Sequence, residues 1–180
     1  MKLFFTRHGQ TNSNVEEWVC GMTNAMLTEQ GKQQAEELAK VLKEQQADNK
    51  IEYIYVSPLQ RARDTAAPIE KALGIQAVVD DRLHEVNFGR FEGRYYLDDD
   101  VVACRKEYFT RYPEGESEFQ VAQRIYNIID QVKEEKKGHN VLFVSHGAVS
   151  RVFKSYFEDI KLEDYPHAII GNCQLLSYSL

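Results

Sequence analysis

Two histidines occupy equivalent places in the chain. Lys2-Leu3-Phe4-Phe5-Thr6 runs into Arg7-His8-Gly9, and Asn140-Val141-Leu142-Phe143-Val144-Ser145 runs into His146-Gly147. Each pattern is a short apolar strand ended by an imidazole and followed by a Gly that lets the backbone turn sharply toward a ligand. Open parallel sheets bind ligands at the C-terminal ends of their strands, so the repetition predicts two imidazoles converging on one pocket. A neutral imidazole nitrogen is a nucleophile at physiological pH, and the neighbouring Arg7 supplies a planar donor fork that matches phosphoryl oxygens. Arg61 adds a second guanidinium; with His146 these groups suit the equatorial oxygens of a phosphoryl group in in-line transfer. Glu85, between the two histidine segments, offers a carboxyl group to protonate a leaving oxygen and then to activate water. Cationic side chains do the charge work in such a site, so neither a metal nor a cofactor is required.

Other readings of the same residues stand beside this one. Glu92 shares a loop with Glu85, and either carboxylate is a candidate structural partner for Arg82, Arg90 or Arg94. Arg61 on its own is indistinguishable from a solvated helix charge, and the adjacent Arg63 is expected to be exposed. A lone histidine is usually structural, and His84, His139 and His167 are expected to be so. Asp98-Asp99-Asp100 reads as a helix start, favourable to the macrodipole, rather than a metal site.

These residues need elements to position them, and the hydrophobic pattern supplies an alternation of strands and helices. Residues 9–24 read as a loop, and Thr28 as the N-cap of a helix reaching about residue 46 with Ala35, Leu38, Val41 and Leu42 inward. A buried strand follows at 51–56, and Ser57-Pro58 opens a helix with Pro in its first turn and Leu59, Ala62, Ala66 and Ile69 inward. A short strand at 76–79 leads to a long loop at 80–96, a length that in compact domains is often functional. A weak helical stretch is expected to about residue 112. A strong helix at 117–137 carries Val121, Ile125, Ile128, Ile129 and Val132, and the strand into His146, a helix at 148–157 and a last strand at 174–179 complete the order. That order predicts an α/β fold: a doubly wound, mostly parallel sheet with helices on both faces. At 180 residues and 43% apolar content, a single domain over 1–180 is expected, with a small cap within about 80–117.

The 22 basic and 28 acidic residues argue against nucleic acid or an anionic membrane as partner, because both favour a basic surface. An anionic substrate must then be held by local positive charge. Residues 1–5 are too short an apolar stretch for a secretory signal, and no later run reaches membrane-spanning length, which predicts a cytoplasmic protein. Cys20, Cys104 and Cys173 are odd in number and widely spaced, indicating neither a disulfide framework nor a thiolate zinc site. Oligomeric state leaves no mark on the sequence.

Taken together, Arg7-His8-Gly9-Gln10-Thr11 with Asn14, Leu27-Thr28-Glu29-Gln30-Gly31, Ser57-Pro58-Leu59-Gln60-Arg61-Ala62, Leu83-His84-Glu85 with Gly89 and Phe91-Glu92-Gly93, and Val144-Ser145-His146-Gly147 resemble the histidine phosphatase superfamily, which includes the cofactor-dependent phosphoglycerate mutases. Each pattern is short, but five in family order make a specific signal. The resemblance implies a phosphoglycerate mutase-like fold, a covalent phosphohistidine on His8, a phosphate pocket of Arg7, Asn14, Arg61 and His146, and Glu85 as proton donor and then water-activating base. Cys20, Gly21 and Gly147 join the implied substrate-binding set. Cys20 stands where relatives often carry a hydroxyl or amide, Asn24 where an acid is common, and Glu114 where a second Gly is usual, adding negative charge near the expected entrance. Mutases of the family carry a longer insert between the positions of Glu85 and Pro113, so the short interval favours a metal-independent phosphatase acting on a small phosphorylated metabolite. A phosphoglycerate mutase is the alternative within the family. A metallohydrolase using His8, His146 and Glu85 as ligands, and an inactive phosphate- or phosphoprotein-binding domain, are the alternatives of other classes.

Overall fold

The computed structural model describes residues 1–180. In chain order the elements are β1 Lys2–Arg7, α1 Asn12–Glu16, α2 Glu29–Glu44, β2 Ile51–Val56, α3 Gln60–Leu73, β3 Val78–Val79, α4 Asp99–Cys104, α5 Glu118–Glu135, β4 Asn140–Ser145, α6 Gly147–Ser155 and β5 Leu175–Ser179. The five strands form one sheet in the order β3-β2-β4-β1-β5. β3, β2, β4 and β1 run parallel, and β5 closes the sheet antiparallel to β1.

Strand alternation sorts the core onto two faces. Leu3 and Phe5 of β1 with Val141 and Phe143 of β4 pack under α5 and α6, against Ile125, Ile128, Ile129, Val149, Val152 and Phe153. Phe4, Leu142 and Val144 point the other way, onto Leu38, Ala39 and Leu42 of α2 and Ala62, Ala66 and Ile69 of α3. The two helix layers are therefore products of one sequence period read on opposite sides of the sheet. Local chemistry sets the helix starts: the Thr28 hydroxyl accepts from Gly31 N–H, and Ser117 forms a capping box with Gln120.

Several boundaries differ from expectation for identifiable reasons. The stripe of α2 is Ala35, Leu38, Ala39 and Leu42, whereas Val41 is 42% exposed, since positions i, i+3, i+4 and i+7 share a face and i+6 does not. Pro58 lies before α3 rather than in its first turn, because Leu59 is the N-cap. The stretch expected to be all loop after β1 contains α1, started by a capping box between Thr11 and Asn14. The weak helix expected to reach residue 112 ends at Cys104. Tyr53 and Tyr55 leave β2 half-buried on one face, so that strand is not apolar on both sides. No helix is long and apolar enough to cross a membrane.

Candidate active site

Because β1, β2 and β4 are parallel neighbours, their C-terminal ends open on one edge of the sheet. Arg7 pairs in register with Ser145, and His8 N–H donates to the Ser145 carbonyl at 3.0 Å. The residues that follow the two strands therefore emerge side by side, and the His8 and His146 rings lie 5.2 Å apart. Ser57, at the end of β2, completes the row, with its hydroxyl 2.7 Å from His146 Nε2. Neither Gly9 nor Gly147 has a positive φ, so each serves through space rather than through a special dihedral. A Cβ on Gly9 would lie 2.3 Å from the Gly31 carbonyl oxygen, and one on Gly147 would press on Arg7 Cζ at 3.2 Å.

The tautomer of His8 follows from its partner. Nδ1 is 2.7 Å from the Gly9 carbonyl oxygen, and a carbonyl can only accept, so Nδ1 carries the proton and Nε2 presents a lone pair. The backbone around the ring is pinned by Gly9 N–H donating to Thr65 Oγ1 at 3.0 Å and by Asn172 Nδ2 donating to the His8 carbonyl at 2.8 Å. Burial, followed by the charges of Arg61 and Arg7, holds the His8 pKa well below the usual histidine range. Burial with the Arg61 charge does the same for His146. Both imidazoles are neutral at physiological pH.

Arg7 Nη1 donates to the Ile170 carbonyl at 3.1 Å, and burial lowers the guanidinium pKa while the Glu85 charge opposes that. Arg61, only 2% exposed, donates through Nη2 to Gly21 O at 2.7 Å and through Nη1 to Thr23 O at 3.0 Å. Asn14 Oδ1 accepts from Thr11 N–H and Asn172 Nδ2 at 3.1 and 3.2 Å, which leaves its NH₂ as the group for a ligand. The buried side-chain polar atoms without any hydrogen-bond partner are Arg7 Nε and His146 Nδ1. Buried polar groups are nearly always paired, and both exceptions stand at this strand edge, as expected where an acceptor-rich group binds.

The structure separates the two carboxylates of the long loop. Glu85 is 6% exposed, with Oε1 accepting from Val86 N–H at 2.9 Å and Oε2 from Ala148 N–H, in the first turn of α6, at 3.1 Å. Glu92 instead accepts from the backbone N–H groups of Gly21, Met22, Thr23 and Phe88 and from the Thr23 hydroxyl. It builds the carbonyl cradle that Arg61 occupies. Neither pairs with the loop arginines: Arg82 binds Asp80, Arg90 binds Glu114, and Arg94 binds Asp98 and Asp100. Glu114 is thus an exposed partner of Arg90 and does not line the pocket.

Arg7, His8, Asn14, Cys20, Arg61, Glu85 and Gly147 line one cavity of about 320 Å³. Two members of the expected set stand behind that lining rather than on it. His146 is fully buried and meets the site through its contact with His8, and Gly21 contributes its carbonyl to Arg61. Cys20 directs its thiol to the Thr23 carbonyl at 3.3 Å. The rest of the wall includes Trp18, Phe88, Tyr96, Arg105, Arg151 and Ile169. Among these, the Arg105 guanidinium lies 3.6 Å from the Tyr96 ring centroid. Sequence reasoning missed Thr65, Asn172, Arg105 and Arg151. Ser57 was legible as a third residue at a parallel strand's end; the others reach the site only through tertiary packing. No group of three or more His, Cys, Asp or Glu side chains converges closely enough to hold a metal ion.

A profile of the histidine phosphatase superfamily (branch 1) matches residues 3–180. The probable phosphoglycerate mutase GpmB of Escherichia coli is 32% identical over 154 residues, covering 82% of this chain and 70% of the relative. The alpha-ribazole phosphatase of Shigella flexneri superposes with a TM-score of 0.83 at 25% identity, over 98% of this chain and 89% of that one. A mycobacterial glucosyl-3-phosphoglycerate phosphatase complexed with VO3 gives 0.86 at 26% identity, over 99% and 92%. The motif order, the strand-end histidines and these matches agree, and the chain belongs to the histidine phosphatase superfamily.

Proposed function

We propose that this protein is a metal-independent phosphatase that hydrolyses small phosphomonoesters through a phosphohistidine on His8. The carrying observation is the His8 tautomer: Nδ1–H is committed to the Gly9 carbonyl, and depression of its pKa keeps Nε2 unprotonated. In the first step Nε2 attacks phosphorus as the ester P–O bond breaks, and the Glu85 carboxyl group passes a proton to the leaving oxygen. In the second, the Glu85 carboxylate takes a proton from the water that attacks phospho-His8; inorganic phosphate leaves, and both residues return to their starting states. Arg7, Asn14, Arg61 and His146 hold the phosphoryl oxygens, with the unpartnered Arg7 Nε and His146 Nδ1 supporting that role. In this reading the charge work falls to Arg7 and Arg61, and His8, His146 and Glu85 form no three-ligand cluster.

The decisive experiment is trapping of the intermediate from a ³²P-labelled phosphomonoester. Wild-type protein should carry acid-labile, base-stable label, and His8→Ala none; equal labelling of the variant refutes the mechanism. The similarity to a probable phosphoglycerate mutase supports a second reading, in which phospho-His8 returns its group to a bound intermediate. Isomerised phosphoglycerate formed with a bisphosphate primer would establish it, and free phosphate as the sole product would reject it.

A further inference from the structure

Glu85 lies on a segment that belongs to neither a strand nor an α-helix, yet proton donation demands that its carboxyl group be placed to within a fraction of an ångström. The segment is held by side chains. Arg124 stands in the second turn of α5, and its side chain is 12% exposed. Its Nη1 donates to the carbonyls of Arg82 and His84, at 2.5 and 2.7 Å, and its Nη2 to that of Glu85 at 3.2 Å. Nε and Nη2 also donate to the two oxygens of Glu116, at 3.1 and 3.2 Å. Every one of the guanidinium's N–H donors is thereby used. The carbonyl left over, that of Leu83, accepts from Ser145 Oγ at 2.7 Å. Glu116 extends the clamp to the far side of Glu85 by accepting from Asn87 N–H at 3.0 Å, while its own N–H donates to Asn87 O at 2.9 Å.

We infer that Arg124 is the positioning residue for the proton donor: its fork grips the backbone on both sides of Glu85, directly and through Glu116, and so fixes the carboxyl group over the phosphoryl site. Arg124 is absent from the cavity lining, so it touches no reacting group; its charge also disfavours the protonated form of His146, an effect that does not depend on which ester is used. The inference rests on the proton-donor role proposed above. It also explains why an ammonium cannot substitute, because a lysine offers no planar fork to bridge three carbonyls and a carboxylate at once.

The test compares kcat/KM for two esters of similar shape, p-nitrophenyl phosphate and phenyl phosphate. The nitrophenolate departs without a proton, whereas phenolate needs one. Misplacing the acid should therefore cost at least ~10-fold more on phenyl phosphate than on p-nitrophenyl phosphate, toward the lower end of what general acids contribute. Arg124→Ala and Arg124→Lys should both show this split, and Glu85→Gln should show it at least as strongly. Adding Arg124→Ala to Glu85→Gln should change the ratio by less than about twofold, as expected for residues acting as one unit. A loss of folded protein lowers both esters equally and leaves the ratio untouched, and Arg124→Lys supplies the measurement if Arg124→Ala does not fold. Equal losses on the two esters for the Arg124 variants, with the split retained by Glu85→Gln, overturn the inference alone. Equal losses for Glu85→Gln overturn the proton-donor role and the inference with it.

Discussion

Replacing Arg61 with Ala separates three roles that the structure gives to one guanidinium. The side chain lines the cavity, so its loss removes one charged donor from the site where phosphoryl charge develops, at about 100- to 1,000-fold in turnover. It is also the group that occupies the carbonyls of Gly21 and Thr23. Thr23 is exposed and can turn to water, whereas Gly21 is buried, so stranding that one acceptor should cost about 1–3 kcal/mol of stability. Finally, Arg61 is the largest charge contribution depressing the pKa of His8, after burial itself. A positive neighbour disfavours the imidazolium, and removing it makes His8 easier to protonate. The acid limb of the pH profile for kcat/KM should therefore move to higher pH. The assay is phosphate release across a pH series, with urea denaturation of the same samples. A near-normal turnover would remove Arg61 from the reaction, and an acid limb unmoved or shifted to lower pH would refute the electrostatic account of His8.

Three further outcomes follow from other parts of the same architecture. His8 and His146 are held below the ordinary histidine pKa when folded, so as pH falls through about 6.5 the unfolded chain binds protons that the folded one does not. Each should then remove about 1.4 kcal/mol of stability per pH unit below that point; thermal melts of His146→Gln should show a shallower acid loss than wild type, and parallel curves would contradict the burial argument. Arg151 and Glu118 form a buried pair with two contacts of 2.8 Å, to which Tyr165 adds a hydroxyl at 2.7 Å. Arg151→Met strands a buried carboxylate and should cost about 3–5 kcal/mol, whereas a change under about 1 kcal/mol in denaturant titration would show that the pair is not coupled in this way. Gly147→Ala places a methyl 3.2 Å from Arg7 Cζ and should lower kcat/KM several-fold, about what a few tenths of an ångström of misplacement costs, without a matching fall in Tm.

The chemistry of the phosphoryl end was legible in the linear sequence because it is written locally. A strand's period, an imidazole at its end and a neighbouring guanidinium are contiguous in Arg7-His8, and the parallel order of strands follows from alternation with helices. The same local logic located Thr28 as a cap and named the inward apolar residues of α5 without error. Glu85 and Glu92 share a loop and a residue type, and in the sequence only the motif position of Glu85 put it ahead. Packing gives the physical difference: Glu85 sits against the start of α6, and Glu92 collects the N–H groups of residues 21–23. Local sequence set His8 apart from His146 by the neighbouring Arg7, and the packed structure adds that His8 stands on the cavity wall while His146 is fully buried against Ser57. Asn172, Thr65, Arg124 and Arg151 act through partners distant in the chain, and no spacing rule reports a contact that exists only once the sheet has closed. Residue type and spacing thus determined what reaction the chain is equipped for. Tertiary structure decided which of several identical groups stands at the phosphoryl site and what holds it there, because placement depends on long-range packing and hydrogen bonds that local sequence does not encode.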